Sequence, residues 1–275
     1  MFTLNCKGRL LTIDQPIVMG ILNINADSFY AASRYESNDM LLKAAERTML
    51  IEGATILDIG GQSTRPGSEL INEETELSRV IPAIEIICKN FPEALISLDT
   101  YYSNVAREGV AAGASIINDI SAGEMDDSFL DTVASLNVPY VLMHMQGTPQ
   151  NMQQNPAYEN VTKEVLDFFI KKISILHSKG IKDIIIDPGF GFGKTHAQNF
   201  TLLKNLNAFK ILEHPILLGV SRKGTIYKTL GTDAKNALNG TTVLNTIGLQ
   251  NGASILRVHD VKEAMEAIKL VNAVN

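Results

Sequence analysis

Eight short apolar runs along the chain end in, or lead into, polar residues, most of which are ionisable. A single residue of this kind is often a helix cap or a satisfied buried polar group. Eight of them at the same end of successive runs are difficult to explain as core, because buried polar groups need partners. The pattern predicts one enzyme site, with candidate residues Asn23, Thr64, Arg65, Asp99, Asn118, Asp119, His144, Asp187, Lys223, Arg257 and His259.

Four of these residues suit a flat heterocycle with several N–H and carbonyl edges: Asp99, Asn118, Asp187 and Lys223. A carboxylate such as that of Asp187 can accept two adjacent N–H donors of an aminopyrimidinone ring. The ammonium of Lys223 can donate to nitrogen and carbonyl acceptors on another edge of such a ring. The sequence therefore predicts a heterocycle pocket.

A second group is cationic or hydroxylic and suits phosphate or diphosphate: Thr64, Arg65, Arg257 and His259. Arg257 and His259 are two residues apart on a predicted strand, so both side chains should face the same way and grip one anion. The chain has 30 acidic and 24 basic residues, so its net charge gives no indication of an anionic ligand, whereas this local cationic cluster does.

The apolar runs are rich in Ile, Val and Leu, which is typical of strands buried on both faces in a parallel sheet. A closed barrel and an open doubly wound sheet both fit this alternation with helical patterns. We favour an α/β fold of the (β/α)₈ TIM barrel type, because eight units are present and no dinucleotide fingerprint follows the first strand. The predicted strands are 17–23, 55–61, 95–100, 115–121, 139–145, 183–189, 215–223 and 254–260, and the predicted helices are 40–52, 73–90, 104–112, 161–179, 234–250 and 261–273.

Residues 1–16 contain a turn signal between two apolar runs, which predicts a β-hairpin before the barrel and at its base. We expect residues 1–275 to form a single domain. The 275 residues are 45% hydrophobic with a net charge of −6, which gives no indication of nucleic acid or an anionic membrane as partner. Two cysteines are too few for a disulfide framework, and no apolar run reaches about 18 residues. A cytoplasmic enzyme is expected.

Seven sequence blocks together resemble dihydropteroate synthase, a family of pterin-binding enzymes. The resemblance implies a TIM barrel, usually a homodimer, that uses Mg²⁺. It also implies condensation of hydroxymethyl-dihydropterin diphosphate with para-aminobenzoate, giving dihydropteroate and diphosphate for folate synthesis. The blocks run in family order through residues 19–23 (MGILN), 58–67 (DIGGQSTRPG), 97–100 (SLDT), 118–120 (NDI), 187–194 (DPGFGFGK), 221–223 (SRK) and 257–259 (RVH).

The resemblance also implies roles for individual residues. Asn23 would contact the metal and the diphosphate, and Thr64 and Arg65 would belong to a loop over the diphosphate. Arg257 and His259 would bind the diphosphate from the barrel. The pterin would be held by Asp99, Asn118, Asp187 and Lys223, with Phe192 beside the ring or the benzoate and Met143 on the pocket floor.

The chain departs from the family pattern in three places. Residues 25–33 lack the usual proline, second acid and glycine pair, Gly224 stands where serine is usual, and Gln62 replaces the common glutamate. We expect these changes to alter affinity for para-aminobenzoate and its sulfonamide mimics, in a direction that the sequence does not give. A pterin-dependent methyltransferase and a non-catalytic pterin-binding protein remain alternatives. Asp119 and His144 have either a functional or a structural hydrogen-bonding role.

Overall fold

The computed structural model describes residues 1–24, 34–62 and 70–274. Within these residues, eight parallel strands form one sheet, which confirms the predicted barrel over the open sheet. The sheet closes on itself where Ile186 pairs in parallel with Ile216, and the backbone N–H of Ile186 donates to the carbonyl of Pro215 at 3.0 Å. The barrel strands, in chain order, are β3 (Ile17–Asn23), β4 (Ile56–Gly60), β5 (Leu95–Asp99), β6 (Ile116–Asp119), β7 (Tyr140–Met143), β8 (Ile184–Asp187), β9 (Leu217–Leu218) and β10 (Ile255–Val258).

The strands are shorter than the predicted runs, and the largest difference is at β9, where a run predicted over 215–223 gives two paired residues. The remaining residues of that run, including Ser221 and Lys223, lie beyond the ladder. Polar residues past the last ladder hydrogen bond form loops because their backbone has no neighbouring strand to pair with. Those loops carry the candidate site.

Helices follow the strands on the outside of the barrel. All six predicted helices are present, with ends shifted by up to six residues. The structure adds short helices after β6, β8 and β9, whose sequences were too brief to show a helical period. The helices are α1 (Arg34–Glu46, continued by a π-helical turn, Arg47–Ile51), α2 (Glu73–Asn90), α3 (Ser103–Ala112), α4 (Phe129–Leu136), α5 (Val161–Ser178), α6 (His196–Lys204, followed by a 3₁₀ segment, Leu206–Leu212), α7 (Gly224–Thr229), α8 (Leu238–Gln250) and α9 (Val261–Val274).

Side-chain caps fix where three of these helices begin. Asn72 accepts from the backbone N–H of Thr75 at the start of α2, and Asn160 accepts from that of Lys163 at the start of α5. Thr195 and Gln198 form a reciprocal capping box at α6. Each cap satisfies backbone donors that the first helical turn leaves unpaired.

The base of the barrel is closed by an antiparallel hairpin, β1 (Phe2–Cys6) and β2 (Arg9–Ile13), as predicted for residues 1–16. Alternate hairpin residues are buried against one apolar residue from each of the eight barrel strands. This apolar layer separates the base from the mouth. It contains Leu4, Cys6, Leu11 and Ile13 of the hairpin and Met19, Ile56, Leu95, Ile116, Val141, Ile185, Leu217 and Ile255 of the barrel.

Among the described residues, the helices are all too short or too polar to span a lipid bilayer.

The hairpin offers a matched pair of leucines for testing the plug. Leu4 is 3% exposed in the apolar layer, whereas Leu10 of the same hairpin is 73% exposed. We expect Leu4→Ala to lower the free energy of unfolding by about 2–4 kcal/mol, because it opens a cavity in the layer. Leu10→Ala should change it by less than about 0.5 kcal/mol. Urea denaturation measures both, and equal effects would show that the hairpin does not stabilise the barrel.

Candidate active site

The candidate side chains on the strands point into the barrel because they occupy the same alternate positions as the inward-facing apolar residues below them. Side chains alternate along a strand, so residues two positions beyond the apolar layer also face the interior. Asp58, Asn118, Met143, Asp187 and Arg257 each lie two residues after a member of that layer. The carboxyl ends of parallel strands meet at one rim, so these residues converge there, with Asn23 and Asp99 one inward step higher.

A buried ion cluster centres on Arg257. Its Nε lies 2.7 Å from Oδ2 of Asp58, and its Nη2 lies 2.6 Å from the same oxygen and 2.7 Å from Oδ2 of Asp99. Nδ2 of Asn118 lies 3.3 Å from both carboxylate oxygens of Asp58. Asp58 has no exposed surface. One guanidinium therefore ties three strands together.

This cluster joins residues of the two groups that the sequence predicts. Arg257 was placed with the anion-binding cations and Asp99 with the heterocycle acceptors, as two separate groups. The structure joins them directly, because both side chains face inward from strands separated by only β3 and β4 in the barrel. Sequence reasoning also missed Asp58, although its place two residues before the end of a buried strand gives the same inward parity.

Burial and ion pairing shift the pKa values of the cluster in opposite directions. Burial raises the pKa of Asp99 to about 7, and Arg257 opposes that shift. Burial alone would lower the pKa of Arg257, but the carboxylates of Asp58 and Asp99 outweigh it and raise the pKa. Burial also raises the pKa of Asp187, while Lys223 and the backbone N–H of Gly189 hold it down.

Lys223 lies beside the glycine turn, residues 189–193, which follows β8. Its Nζ donates to the carbonyl of Phe190 and lies 4.2 Å from the centroid of the Phe192 ring. Burial lowers the pKa of Lys223 to about 7, with Asp187 as the main opposing influence. The site therefore contains an ammonium that can lose its proton near neutral pH.

An apolar wall completes this side of the mouth. Met143 and Phe192, both predicted as pocket residues, are buried together with Tyr101, Ile120 and Met152. A flat ring has apolar faces and polar edges, so a wall of this kind beside Asp187 and Lys223 matches the predicted heterocycle pocket.

A cavity of about 780 Å³ opens at the mouth over β9 and β10. Lys223, Arg257 and His259 line it, together with residues that sequence reasoning did not select. His259 is exposed, and its backbone N–H donates to Oγ of Ser221 at 3.2 Å. The additional lining residues include Lys194, Arg222, Tyr227 and Lys228. The cavity is therefore cationic in a chain of net negative charge.

Asp119 and His144, for which the sequence left a functional or a structural role open, both face outward from the barrel and have hydrogen-bond partners within the fold. Asp119 accepts from the backbone N–H groups of Ser121 and Gly123 at 2.6 and 2.7 Å and from the Tyr140 hydroxyl at 2.7 Å. Nδ1 of His144 lies 3.0 Å from Nζ of Lys194, and burial lowers the pKa of His144 to about 3. Both roles are hydrogen bonding within the fold.

Asn23 is the last residue of β3 and is half-buried at the mouth. Thr64, Arg65 and the divergent segment 25–33 lie outside the described residues, so their predicted roles stay predictions.

Comparisons with known proteins agree with this geometry. A family model described as pterin binding enzyme matches residues 19–259. The dihydropteroate synthase of Escherichia coli K12 is 42% identical over 269 residues, covering 97% of this chain and 94% of that protein. The chain belongs to the pterin-binding enzyme family and, within it, to the dihydropteroate synthases.

Solved dihydropteroate synthases have the same fold. The Yersinia pestis enzyme, crystallised as a sulfonamide drug complex, superposes with a TM-score of 0.92 at 39% identity, covering 99% of both chains. The Xanthomonas albilineans dihydropteroate synthase, solved with 4-aminobenzoic acid, gives 0.90 at 40% identity, covering 99% of this chain and 97% of that one.

Because the charges of the ion cluster are paired with one another, we expect that neutralising one of them lowers the stability of the protein strongly. Asp58→Asn keeps the shape of the side chain but leaves the buried Arg257 without its closest counter-charge. We expect the free energy of unfolding to fall by about 3–5 kcal/mol, as for other broken buried pairs. The matched control is Asp167→Asn, which breaks the exposed pair with Lys163 and should cost less than about 1 kcal/mol. Chemical denaturation compares them, and similar losses would mean that the cluster does not hold the barrel mouth.

Proposed function

We propose that this dihydropteroate synthase uses the barrel mouth to transfer the dihydropterin, through its methylene carbon, from diphosphate to the amine of para-aminobenzoate. The observation that carries the assignment of the site is the meeting of two environments at one rim. Buried acceptors and an ammonium lie beside an apolar wall, and a cationic cavity adjoins them. A substrate that is a heterocycle at one end and a diphosphate at the other needs both.

The pterin ring is assigned to the buried side of the site. Asp187 accepts from two adjacent ring N–H groups, and Lys223 donates to ring nitrogen and carbonyl acceptors. Asn118 and Asp99 bind the remaining edge. Met143 forms the floor, and Phe192 packs beside the ring and faces the incoming benzoate. Support comes from the buried, inward positions of Asp99, Asn118 and Asp187, from the contact of Lys223 with the glycine turn, and from the burial of both apolar residues.

The diphosphate is assigned to the cationic cavity. Arg257 and His259 bind it there, and Thr64 and Arg65 close over it. Charge supports this placement, because the cavity lining combines lysine, arginine and histidine side chains. Arg257 lines this cavity and also contacts Asp58 and Asp99, so its guanidinium can stabilise the leaving diphosphate while the two carboxylates fix its plane.

Mg²⁺ is proposed as the cofactor, with Asn23 as its protein ligand. The residue fits this ion, because the amide Oδ1 of Asn23 is an oxygen ligand at the mouth, 3.8 Å from where a Cβ on Gly60 would stand. Mg²⁺ often takes few protein ligands and completes its shell with phosphate oxygens and water. When bound, the ion supplies charge neutralisation of the departing diphosphate.

The reaction needs no protein nucleophile. The bond between the pterin methylene carbon and the diphosphate oxygen breaks, and the arylamine nitrogen forms the new bond to that carbon and then loses a proton. Electron density from the dihydropterin ring supports the developing positive charge, which the carboxylates of Asp99 and Asp187 stabilise. The residues of this site thus orient the two substrates and stabilise charge.

The reaction itself is the test of this function. Protein supplied with pterin diphosphate, para-aminobenzoate and Mg²⁺ should release diphosphate and form dihydropteroate, and chelation of the metal should stop both. Lys223→Ala should lower turnover by roughly two to three decades, as for other preorganised donors. The control is Lys182→Ala, at an exposed lysine. Near-normal turnover in Lys223→Ala would contradict the assigned role, and failure to form dihydropteroate from the two substrates would contradict the reaction.

The same assay has an expected pH dependence. The pKa of Lys223 is lowered to about 7, so kcat/KM for the pterin substrate should fall as the pH rises through that value and the ammonium is lost. In Lys223→Arg the guanidinium stays charged, so any activity that remains should lack this decline. An unchanged profile in Lys223→Arg would assign the ionisation to another group.

A homodimer is also proposed, with helices α8 and α9 as its interface. These helices flank a groove of about 760 Å³ and carry exposed apolar side chains, Val243, Ile247, Leu270 and Val274. An apolar patch of this kind is typical of a protein interface, and a second copy presents the same patch around a two-fold axis.

Sedimentation analysis tests the dimer. Leu270 is 69% exposed on α9, and Leu270→Glu should shift the protein toward monomer because it places a charge in the apolar contact. Leu10→Glu, at an equally exposed leucine on the hairpin, should leave the association unchanged. A wild-type monomer at micromolar concentration would overturn the proposal.

A cytoplasmic location is proposed as well. Its support is that both cysteines of the chain, Cys6 and Cys88, are unpaired thiols, which is typical of reducing compartments. Cell fractionation tests it, and recovery in a secreted or membrane fraction would contradict it.

A further inference from the structure

The residue that follows the glycine turn is a lysine with almost no exposed surface. Lys194 is 1% exposed, although it lines the active-site cavity. Its Nζ lies 2.9 Å from the carbonyl oxygen of Phe192, 3.0 Å from that of Gly189 and 3.3 Å from that of His144, and 3.0 Å from Nδ1 of the same histidine. A buried ammonium with this many acceptors fixes the backbone segments whose carbonyls it binds.

The turn needs such an anchor because its carbonyl oxygens have no ladder to join. Lys194 binds two of them, and the other three accept from Lys223, Gln153 and Tyr158. The backbone adopts positive φ at three glycines, and a Cβ at Gly189 would lie 1.8 Å from the carbonyl oxygen of His144. The turn is thus packed tightly against the end of β7, with the ammonium between them.

The opposite side of the same turn positions Lys223. The carbonyl of Phe190 accepts from Nζ of Lys223, and the ring of Phe192 lies beneath that ammonium. Two lysines therefore bind one five-residue turn, the buried one from the inner side and the active-site one from the mouth.

We propose that Lys194 is a positioning residue of this enzyme, whose ammonium shapes the glycine turn so that the turn holds Lys223 in place for the pterin ring. This inference rests on the role given to Lys223 under the proposed function. Burial, opposed by Asp187 and reinforced by the nearby charge of Lys223, lowers the pKa of Lys194 to about 7. His144 contributes as a neutral acceptor, in agreement with its lowered pKa.

The proposed role of Lys194 depends on its N–H donors. Lys194→Met keeps the length and removes every N–H group, so the turn carbonyls lose their partner. Misplacing the active-site ammonium by about 1 Å should lower kcat/KM for pterin diphosphate on the order of 10- to 100-fold. Competitive inhibition by inorganic diphosphate should stay within about two-fold, because Nζ of Lys194 is directed at the turn carbonyls and at His144, although the residue lines the cavity. Lys182→Met, at an exposed lysine, is the control for loss of one positive charge.

A double-mutant cycle separates positioning from general stability. If Lys194 acts through Lys223, then Lys194→Met added to Lys223→Met should lower kcat/KM no further. Additive losses would overturn the inference while leaving the role of Lys223 intact. Normal activity in Lys223→Met alone would instead overturn the proposed role of Lys223, so the two failures are distinguishable.

Chemical rescue tests the need for N–H donors. In Lys194→Ala, ethylammonium should restore activity in a saturable way, and tetramethylammonium, which has no N–H group, should not. Equal effects of the two ions, or kcat/KM within two-fold of wild type without either, would overturn the inference.

A measurement on folded protein covers the case in which both variants at residue 194 fail to fold. With lysine side chains labelled with ¹⁵N, the buried ammonium of Lys194 should give a slowly exchanging Nζ resonance, and that resonance should shift in Lys223→Arg. An unshifted resonance would show that the turn does not link the two lysines.

Discussion

The guanidinium of Arg257 shares its donors between Asp58 and Asp99, and the arrangement of the barrel mouth depends on that contact. Three strands supply the three charges, and Asn118 from a fourth strand also binds Asp58. An unpaired charge at this depth would be strongly unfavourable, so the carboxylates and the cation must be present together. The ion cluster is therefore stable only when all three of its charged residues are present.

The apolar layer beneath makes this set possible. The hairpin and one residue from each barrel strand fill the base with apolar side chains, below the polar residues of the mouth. The polar layer is therefore dry on its lower side and open on its upper side. The charged form of a side chain loses hydration in such a place, which is why burial raises the pKa of Asp99 and Asp187 and lowers that of Lys223.

Hydrogen bonds to the backbone fix the loops of the mouth, in addition to the ion pairs. After β8 the chain makes a turn with positive φ at Gly189, Gly191 and Gly193, and four side chains from three segments bind its carbonyls. Ser221 supports the backbone of His259 from the end of β9. Loops fixed in this way can present side chains with the accuracy of a strand, which a site that must orient two substrates requires.

Much of this molecule could be predicted from the order of its residues. Eight apolar runs separated by helical patterns predict a parallel sheet covered on both faces, and the number of units and the lack of a dinucleotide fingerprint favour the closed barrel. The polar residues that end those runs, such as Asp99, Asp187 and Arg257, had to meet at one rim because parallel strands end together. The hairpin was readable from its turn residues. The family resemblance added chemical roles to positions that the alternation had already brought together.

Tertiary structure decided which side chains contact each other. Asp58 and Lys194 gave no chemical signal of their own, because their importance comes from partners 199 and 50 residues away in the chain. Whether Asp119 and His144 faced the mouth or the helices depended on strand parity, which one residue of register reverses. Likewise, the contact of Arg257 with Asp58 and Asp99 could not be predicted, because sequence order carries no distance across a barrel. The sequence by itself determined the elements and the rim on which the site lies; the closed barrel decided the pairing of its charges, since only closure brings the last strand beside the first.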